Sequence, residues 1–325
     1  MLKLGIAGLG RWGRVLVDSV QGRSDKVRFV AGTTGTRAKA EDYARQQGIR
    51  LHDDLAGLLA DGEVQAIVLA TPHSQHAAQM AAAAATGRPV FVEKPLTLTH
   101  ADALAATKAC DKVVVALGHN RRFMPAYREL QSLVASGALG TVLHVSGNYS
   151  ANAVPNWKEG MWRATRAESP AGGMTGLGIH LVDAMIGLGL RFAEVHVRST
   201  RRVMPVDVDD TTTAMITFEG GAQGVLTTLV ATSPIWRLDV YGSNGWATMD
   251  QERRLVHAAL GQPVRTTEFP AFDAERAELE AFAAAVAGTA PFPITVPEMV
   301  HGIAAFEAII GAAGEAGVGM RKVAG

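Results

Sequence analysis

Short apolar segments alternate with segments of helical periodicity along the first 120 residues of the chain. The apolar segments span residues 2–7, 27–31, 64–70, 89–92 and 113–117, and the helical ones span 12–20, 38–47, 74–86 and 99–111. Strands that helices cover on both faces read as nearly continuous apolar runs, and their alternation with helices is typical of a parallel sheet. We therefore predict an α/β domain with a parallel sheet over residues 1–120.

The pattern changes after Asn120. One amphipathic helix is predicted over residues 125–136, and Gly137 and Gly140 end it. Residues 214–218 and 236–240 then alternate between apolar and polar, with glycine turns at 220–221 and 242–245, which predicts an antiparallel sheet. Helices over 275–287 and 297–316 follow. We expect a second domain over residues 121–325, and its last helices are candidates for packing on the first domain.

Composition and charge narrow the class of protein. The 325 residues are 48% hydrophobic, and 31 basic residues balance 31 acidic ones. A neutral chain without a basic stripe argues against a nucleic-acid or membrane partner. No apolar run approaches the ~18–20 residues of a membrane span, and the first residues lack a signal-peptide layout. The single cysteine, Cys110, excludes an internal disulfide and a multi-cysteine metal site. We expect a cytoplasmic protein.

A glycine-rich loop follows the first predicted strand directly. Its sequence is Gly8-Leu9-Gly10-Arg11-Trp12-Gly13. In such a loop, the first glycine permits a tight turn, the second lets the backbone approach a pyrophosphate, and the third allows close packing of helix and strand. The helix that begins there adds free N–H groups and a positive dipole end. The sequence predicts a Rossmann-type domain in which these six residues hold the phosphates of a dinucleotide.

The loop after the second predicted strand bears on the choice between NAD and NADP. A carboxylate there would accept hydrogen bonds from the ribose 2′-hydroxyl of NAD. Residues 31–40 contain no acid, and the partners that they offer to a 2′-phosphate are Thr33, Thr34, Arg37 and Lys39. The alternative is a solvated loop with an ordinary helix cap at Thr36. We favour NADP(H) over NAD(H) as the cofactor.

Two residues have the chemistry of proton transfer. Lys94 lies at the carboxyl end of a predicted parallel strand, the edge where open α/β sheets bind ligands. His180 follows the glycine-rich segment 171–178, which leaves room for a ligand, and an imidazole accepts and returns protons near neutral pH. The alternatives are a solvated surface lysine and a core histidine bonded to the backbone. We predict Lys94 and His180 as the catalytic residues.

Further motifs resemble the Gfo/Idh/MocA family of nicotinamide-dependent oxidoreductases. They follow the family's order along the chain: Ala70-Thr71-Pro72-His73-Ser74-Gln75-His76, Glu93-Lys94-Pro95, His119-Asn120-Arg121-Arg122-Phe123, Gly172 with His180 and Asp183, Val208-Asp209-Asp210, and Thr295 with Glu298. The resemblance implies an N-terminal Rossmann parallel sheet and a C-terminal α/β domain with an open, mainly antiparallel sheet.

The resemblance also implies roles for individual residues. Lys94 would contact both the nicotinamide ribose and the substrate hydroxyl. The other implied cofactor contacts are Ala70, Thr71, Pro72, His73, His76, Glu93, Pro95, Asn120, Trp162 and Arg163. The implied substrate contacts are Lys94, Arg122, Tyr149, Trp157, Arg163 and His180. For the aromatic residues among them, packing in the core is the alternative.

Residue 176 departs from the family pattern. Relatives often have an aspartate four residues before the histidine, where it contacts the substrate, and this chain has Gly176. Two interpretations stay open: a weakened polyol site, or space for a bulkier or less polar substrate. Asp183, three residues after His180 on a predicted helix, either orients the imidazole or pairs locally.

No metal site is predicted. His73 and His76 have a spacing that permits ligation, but no third ligand is evident in the sequence. The alternative of a cation at Asp207, Asp209 and Asp210 is less favoured than a polar turn before a strand.

The sequence predicts an NADP(H)-dependent oxidoreductase that moves a hydride to or from a secondary alcohol or ketone carbon of a sugar, cyclitol or related ring. Two alternatives stay open. One is a lyase or hydrolase that uses bound nicotinamide for transient oxidation, and the other is a nicotinamide-sensing regulatory protein without turnover. We also expect a homodimer or homotetramer formed through the second-domain sheet. The residues that alternate between the two faces of its strands suggest that both faces of the sheet are at least partly covered.

Overall fold

The computed structural model describes residues 1–314 and 319–325, with the side chain of Asn156 excepted. Within these residues the chain forms two compact units. The first consists of Met1–Asn120 and Asp273–Val300, and the second consists of Arg121–Phe272 and His301–Gly325.

The described elements are as follows. The helices are α1 (Arg11–Val20), α2 (Glu41–Gln47), α3 (Leu55–Ala60), α4 (His76–Ala85), α5 (His100–Ala109), α6 (Pro125–Ala135), α7 (Ile179–Gly187), α8 (Ala274–Val286) and α9 (Val296–Ala313). The strands are β1 (Leu2–Ala7), β2 (Val27–Thr33), β3 (Arg50–Leu51), β4 (Ala66–Leu69), β5 (Val90–Glu93), β6 (Val115–Gly118), β7 (Val142–Asn152), β8 (Phe192–Thr200), β9 (Thr211–Phe218), β10 (Gln223–Leu229), β11 (Ala231–Gly242), β12 (Gly245–Asp250), β13 (Arg254–Ala259), β14 (Arg265–Glu268) and β15 (Gly319–Lys322). Short 3₁₀ helices span Arg37–Lys39, His73–Gln75, Asn120–Phe123, Val154–Asn156 and Trp162–Ala164, and a π-helical turn spans Met174–Gly178.

The first unit is built on a six-stranded parallel sheet in the order β3-β2-β1-β4-β5-β6. All four residues of β4 and the last four of β1 are buried, as expected for strands covered on both faces. The strand order reverses between β1 and β4. Open α/β sheets bind ligands in the crevice outside the carboxyl ends of the strands at such a reversal.

Helix α8 lies far along the chain but packs within the first unit. Its Phe282 ring is 5.8 Å from the Phe91 ring of β5. Arg276 of α8 donates to the backbone oxygen of Ser19 in α1 at 2.8 Å. Full burial of a phenylalanine side chain contributes about 1.5–3 kcal/mol, so this contact is a substantial part of the packing of α8.

The second unit contains a nine-stranded sheet in the order β14-β13-β12-β11-β7-β10-β9-β8-β15. Among the described strands, β7 and β10 pair in parallel, and the other neighbouring strands pair antiparallel. A parallel Rossmann sheet followed by a mainly antiparallel sheet confirms the predicted fold class.

Strand β9 shows the two faces of the larger sheet. Ala214, Ile216 and Phe218 are buried, whereas Met215 on the opposite face is 56% exposed. Helix α7 lies against the buried face near β7, since a Cβ on Gly147 would be 3.1 Å from the Leu181 side chain of α7. The opposite face is partly exposed, so its cover by a second copy of the chain stays a prediction.

Observed elements differ from the predicted ones mainly where segments are short. Helix α2 begins at Glu41 rather than at residue 38, because Arg37–Lys39 forms a 3₁₀ turn first. The elements β3, α3 and β15 have two, six and four residues, which is too short for a periodicity to be recognised. The last predicted helix corresponds to α9, and its predicted end at residue 316 lies outside the described residues.

Helix α9 is long and apolar enough to cross a membrane if only length and composition are considered, and half of it is buried. Core helices of globular proteins meet the same criteria. His301 of α9 is 4% exposed, and its Nε2 accepts a hydrogen bond from the Phe192 N–H of β8 at 3.0 Å. A buried histidine bonded to a neighbouring strand is typical of a core helix.

Candidate active site

Gly8 and Gly13 leave no room for a side chain. Gly8 has a φ of +104°, and a Cβ there would lie 2.3 Å from the carbonyl oxygen of Ala70. A Cβ on Gly13 would lie 1.9 Å from the carbonyl oxygen of Gly8. Both distances are far inside van der Waals contact, so the packing of the loop on itself and on the end of β4 requires glycine at both positions.

Gly10 is different, because a Cβ there would meet nothing within 4 Å. It is the N-cap residue of α1, the ten-residue helix that begins at Arg11. The first N–H groups of a helix have no intrahelical partners and lie at the positive end of its dipole. The loop also lies at the carboxyl end of β1, where the strand order reverses. This geometry fits the pyrophosphate of a dinucleotide, with Gly10 giving access to the backbone.

The segment after β2 presents both hydroxyl groups and charges. Thr33 ends β2, and its carbonyl oxygen accepts a hydrogen bond from the Gly8 N–H at 2.8 Å. Arg37 forms exposed ion pairs with Glu41 and Asp53. Two carboxylates therefore share the charge of this arginine, which the sequence alone did not indicate.

Arg14 is a further cation next to this segment that the sequence did not single out. Its Nη2 donates to the carbonyl oxygen of Lys39 at 2.5 Å, and its guanidinium lies 4.7 Å from the centre of the Tyr43 ring. The Tyr43 hydroxyl donates to Asp18 at 2.6 Å, and burial together with this carboxylate raises the Tyr43 pKa. Arg14 belongs to the same helix as the glycine loop, so positive charge is fixed between that loop and the segment after β2.

His76 connects two of the motifs that carry the family resemblance. The side chain is fully buried, with Nδ1 2.9 Å from the carbonyl oxygen of Pro95 and Nε2 3.2 Å from that of Thr71. The Lys94–Pro95 peptide bond is cis. His73 lies beside this histidine, with the ring centres 6.0 Å apart. Within residues 1–314 and 319–325, these two rings do not belong to a group of three potential metal ligands.

Glu93 is a buried carboxyl group at the end of β5. Burial raises its pKa to about 7, and the Trp12 indole and the Lys94 ammonium oppose that rise. A Cβ on Gly118 of β6 would lie 2.8 Å from Glu93 Oε1, so this glycine provides the space that the carboxyl group occupies. Lys94 follows directly and is half-buried. The Glu93-Lys94-Pro95 motif thus lies at the carboxyl end of β5, on the ligand-binding edge of the sheet.

Asn120 and Glu275 form a contact that joins distant parts of the chain. Asn120 Nδ2 donates to Glu275 Oε1 at 2.8 Å, and Asn120 is 3% exposed. Glu275 belongs to the first turn of α8 and also raises the pKa of Glu93. No local pattern near Glu275 indicates this placement, because it depends on where α8 packs.

In the second unit, a glycine-rich segment leads into α7 and His180. Gly172 has a φ of +57°, and a Cβ there would lie 1.9 Å from the carbonyl oxygen of Asp209. At Gly176, in the π-helical turn, a Cβ would meet nothing within 4 Å. His180 follows in the first turn of α7 and is 5% exposed. The chain therefore reaches His180 along a tightly packed backbone that leaves open space at residue 176.

Arg122 and Asp183 form a buried ion pair. The guanidinium donates from Nε to Oδ2 at 2.8 Å and from Nη2 to Oδ1 at 3.0 Å, and the side chains are 4% and 8% exposed. A Cβ on Gly187 would lie 2.2 Å from Arg122 Nη1 and 2.3 Å from the Tyr127 hydroxyl. The Tyr127 hydroxyl donates to the Ala184 carbonyl oxygen at 2.7 Å. These contacts hold α7, and with it His180, against the segment that contains Arg122.

Tyr149 and Arg121 lie beside His180. The Tyr149 and His180 ring centres are 5.9 Å apart, with the rings tilted by 56°. Arg121 Nη2 donates to the Tyr149 hydroxyl at 2.7 Å, and its guanidinium lies 4.7 Å from the centre of that ring. Glu252 forms an ion pair with Arg121 at 2.7 Å. Arg121 and Glu252 were not among the predicted site residues, because their contact joins the start of the second unit to the turn after β12.

Trp157, Trp162 and Arg163 occupy the segment between β7 and the glycine-rich turn. The Arg163 guanidinium lies 4.5 Å from the centre of the Trp162 ring, and Trp162 is 37% exposed. Arg166 forms ion pairs with Asp207 and Asp209 just before β9. The two aspartates therefore contact an arginine, in keeping with a polar turn.

The structure distributes the predicted site residues over both units. The first unit contains Gly8, Leu9, Gly10, Arg11, Trp12, Gly13, Thr33, Thr34, Arg37, Lys39, Ala70, Thr71, Pro72, His73, His76, Glu93, Lys94, Pro95 and Asn120. The second contains Arg122, Tyr149, Trp157, Trp162, Arg163 and His180. Contacts with cofactor or substrate stay predictions for all of them.

These features define a class of protein: a Rossmann unit with a dinucleotide-binding loop, joined to an α/β unit with a buried histidine. A family model described as "Oxidoreductase family, NAD-binding Rossmann fold" matches residues 2–120. A second model, described as "GFO/IDH/MocA C-terminal domain", matches residues 127–248. The chain belongs to the Gfo/Idh/MocA family of oxidoreductases.

Three similar proteins illustrate the range of the family. Inositol 2-dehydrogenase of Rhodococcus erythropolis is 35% identical over 159 residues, which are 48% of this chain and 46% of that protein. The chain therefore matches less than half the length of this relative. The rhizopine catabolism protein MocA of Rhizobium meliloti is 27% identical over 94% of this chain and 93% of that protein. A levoglucosan dehydrogenase, solved with NADH and levoglucosan, has a TM-score of 0.89 at 21% identity over 99% of both chains, which shows the shared fold.

Proposed function

We propose that the protein is an NADP(H)-dependent oxidoreductase that acts on a secondary alcohol or ketone carbon of a sugar, cyclitol or related ring. The observation that carries the proposal is the glycine loop, whose geometry fits a dinucleotide pyrophosphate in a chain of this family. The names of two similar proteins, inositol 2-dehydrogenase and levoglucosan dehydrogenase, support a ring alcohol as the substrate class.

The chain's own residues handle the proton that accompanies hydride transfer. When bound, the nicotinamide ring supplies the hydride chemistry. Lys94 provides a cation at the carboxyl end of β5 for the substrate oxygen. His180 accepts the proton when the alcohol is oxidised and returns it when the ketone is reduced. The buried Arg122–Asp183 pair fixes the helix on which His180 lies, which keeps the imidazole in one place.

The preference for NADP(H) follows from charge near the end of β2. Residues 31–40 carry no acid, and Arg14 contacts the backbone of Lys39 in the same region. A 2′-phosphate would meet cations there, and charge-assisted hydrogen bonds to a phosphate are the strong kind. The carboxylates of Glu41 and Asp53, which pair with Arg37, oppose this preference. The difference in affinity between NADPH and NADH therefore depends on Arg14 and Lys39 as well.

Substitution of the two proton-handling residues tests the proposal. Lys94→Ala and His180→Ala should each lower kcat by ~10²–10⁴, the range for positioned acid–base groups. His144→Ala is the matched control, because His144 also lies beside a tyrosine, Tyr241, at 6.0 Å in the same sheet. The measurement is the change in NADPH absorbance with a library of polyols and keto sugars.

The outcomes separate the proposal from its alternatives. A His180→Ala variant with unchanged kcat would contradict the catalytic role and leave His180 as a packing residue. Consumption of a substrate without net NADPH turnover would favour a lyase or hydrolase with transient oxidation. Tight cofactor binding without turnover of any ring compound would favour a regulatory protein.

We further expect a cytoplasmic homodimer or homotetramer formed through the larger sheet. Met215 and Tyr241, on two strands of that sheet, are 56% and 41% exposed. Contiguous exposed apolar patches mark interfaces, and we expect these two side chains to be part of such a patch on the open face of the sheet. Light scattering at micromolar concentration tests the expectation, and a monomeric mass would contradict it.

A further inference from the structure

The turn between β12 and β13 places Glu252 beside Arg121. In this turn, Gln251 and Glu252 have φ values of +51° and +67°, a left-handed backbone that residues other than glycine rarely adopt. The Gln251 N–H donates to the carbonyl oxygen of Trp236 in β11 at 2.8 Å, and Trp236 is the register partner of Tyr149 in β7. The turn is therefore fastened to the strand that lies next to Tyr149.

Arg121 links this turn to His180. Its Nη2 lies 2.7 Å from Glu252 Oε1 and donates to the Tyr149 hydroxyl at 2.7 Å, so one nitrogen joins the carboxylate to the phenol. The Tyr149 ring, over which the guanidinium lies, is 5.9 Å from the His180 ring. The Arg121 side chain is 12% exposed, so the Glu252 carboxylate supplies the countercharge of a mostly buried cation.

The conformation of Glu252 is one that a glycine would adopt more easily. A non-glycine residue in the left-handed region is strained and persists only where the surrounding structure holds it. Gln251 shares the positive φ, so the turn itself sets this backbone. What the side chain of Glu252 adds is the ion pair with Arg121.

We propose that Glu252 is a positioning residue for His180 and acts through Arg121 and Tyr149. This inference rests on the proposed function, in which His180 moves the proton. Without the carboxylate, the guanidinium loses a partner that fixes it over the Tyr149 ring, and the ring then limits the orientations of the imidazole less strictly. A loosely oriented imidazole reaches the reactive geometry less often, which lowers kcat rather than substrate affinity.

Nuclear magnetic resonance of the imidazole tests the inference without substrate or cofactor. The His180 signal is identified by its loss in the spectrum of His180→Gln. Glu252→Gln should displace this signal, because a movement of the nearby Tyr149 ring changes the field at the imidazole. Arg121→Gln should displace it as well. When Glu252→Gln is added to Arg121→Gln, no further displacement is expected, because the two residues act as one unit.

Two glycine variants separate positioning from stability. Relief of the strained backbone should give Glu252→Gly a higher thermal midpoint than Glu252→Gln, although both should displace the His180 signal. Gln251→Gly is the matched control, because it relieves the same kind of strain in the same turn and should leave the signal in place. An unmoved signal in Glu252→Gln, or an equal displacement in Gln251→Gly, would overturn the inference and leave the proposed function intact.

Kinetics provide the second measurement, with a ring compound that the wild-type protein turns over. Glu252→Gln should lower kcat about ten- to a hundredfold with little change in KM, as expected for a misplaced reacting group. A raised KM with the wild-type kcat would contradict the positioning role. An unchanged kcat in His180→Ala would instead refute the proposed function, while a displaced signal in Glu252→Gln would still support the positioning of the imidazole.

Discussion

The glycine loop of the first unit and the histidine cluster of the second unit are held in place by different means. In the loop, backbone atoms are so close that Gly8 and Gly13 cannot carry a side chain. Around His180, pairs of side chains from distant segments set the geometry, as in Arg122 with Asp183 and Arg121 with Tyr149. A site fixed by backbone packing can be recognised from a local sequence motif. A site fixed by side-chain pairs cannot, because the paired residues are far apart in the sequence and come together only in the folded structure.

The largest effect is expected from the buried pair of the second unit. Asp183→Ala leaves the Arg122 guanidinium buried without its carboxylate, which should lower the free energy of unfolding by about 3–5 kcal/mol. The Arg122→Met, Asp183→Ala double variant should recover much of that loss, because it buries no lone charge. Chemical denaturation measures both variants.

Asp207→Ala is the matched control for that prediction. It breaks an ion pair with Arg166 in which the side chains are 71% and 49% exposed. Exposed pairs contribute about 0–1 kcal/mol, so the variant should unfold almost as the wild type does. Equal losses for Asp183→Ala and Asp207→Ala would show that the buried pair does not fix this region.

The first unit offers a contrast between two glycines of one loop. Gly8→Ala should destabilise the protein by about 2–3 kcal/mol, because its φ is +104° and its Cβ would clash with the Ala70 carbonyl oxygen. Gly10→Ala meets no protein atom and should keep the wild-type thermal midpoint, but it should weaken NADPH binding about tenfold or more by blocking approach of the pyrophosphate. Thermal unfolding and fluorescence titration separate the two effects. Unchanged NADPH binding in Gly10→Ala would contradict the assignment of the loop.

Much of the fold and the first site follows from local pattern. Continuous apolar strands, helical periodicity and the loop from Gly8 to Gly13 predict a parallel sheet with a dinucleotide site, and the family models agree. The Asn120–Glu275 contact could not be predicted, because the two residues are 155 positions apart along the chain and meet only where α8 packs within the first unit. The pairing of Arg121 with Tyr149 and Glu252 depends in the same way on long-range packing.

Glu93 differs from the glycine loop of the first unit, because burial of its side chain, and not backbone packing, determines its protonation state. Its folded pKa of about 7 exceeds the ordinary value of 4.5, so the folded protein binds a proton that the unfolded chain has released. The free energy of unfolding should therefore fall as the pH rises from about 4.5 to 7, by at most about 3 kcal/mol. Glu93→Gln should remove this part of the pH dependence in denaturation experiments.

Glu63→Gln is the control for the sign of that effect. Lys3 and Arg50 lower the pKa of the exposed Glu63 carboxyl, so its contribution to stability is present above the ordinary pKa and is lost as the pH falls. As the pH falls, the stability of the Glu63→Gln variant should therefore decline slightly less than that of the wild type. A Glu93→Gln variant with the wild-type slope between pH 4.5 and 7 would contradict the buried, proton-binding state.

A smaller effect than that of the buried pair is expected in the segment after β2, where neither backbone packing nor a buried pair dominates. NADPH should bind about ten- to a hundredfold more tightly than NADH, which corresponds to ~1.5–3 kcal/mol for one charged phosphate contact. Thr34→Asp should reverse the order, since a carboxylate repels a 2′-phosphate and accepts from a ribose hydroxyl. Fluorescence titration measures both cofactors, and NADH binding as tight as NADPH binding in the wild type would refute the preference.

The close packing of Gly187 against Arg122 and Tyr127 constrains the order in which this region can change during evolution. A side chain at residue 187 would overlap both the Arg122 guanidinium and the Tyr127 hydroxyl, so these groups would have to shift or be replaced before one could be accommodated. Loss of Arg122 first, however, would strand the Asp183 carboxylate in the interior. The three positions should therefore be exchanged together or retained together, and a lineage of the family with a side chain at 187 should lack both the arginine and the acid.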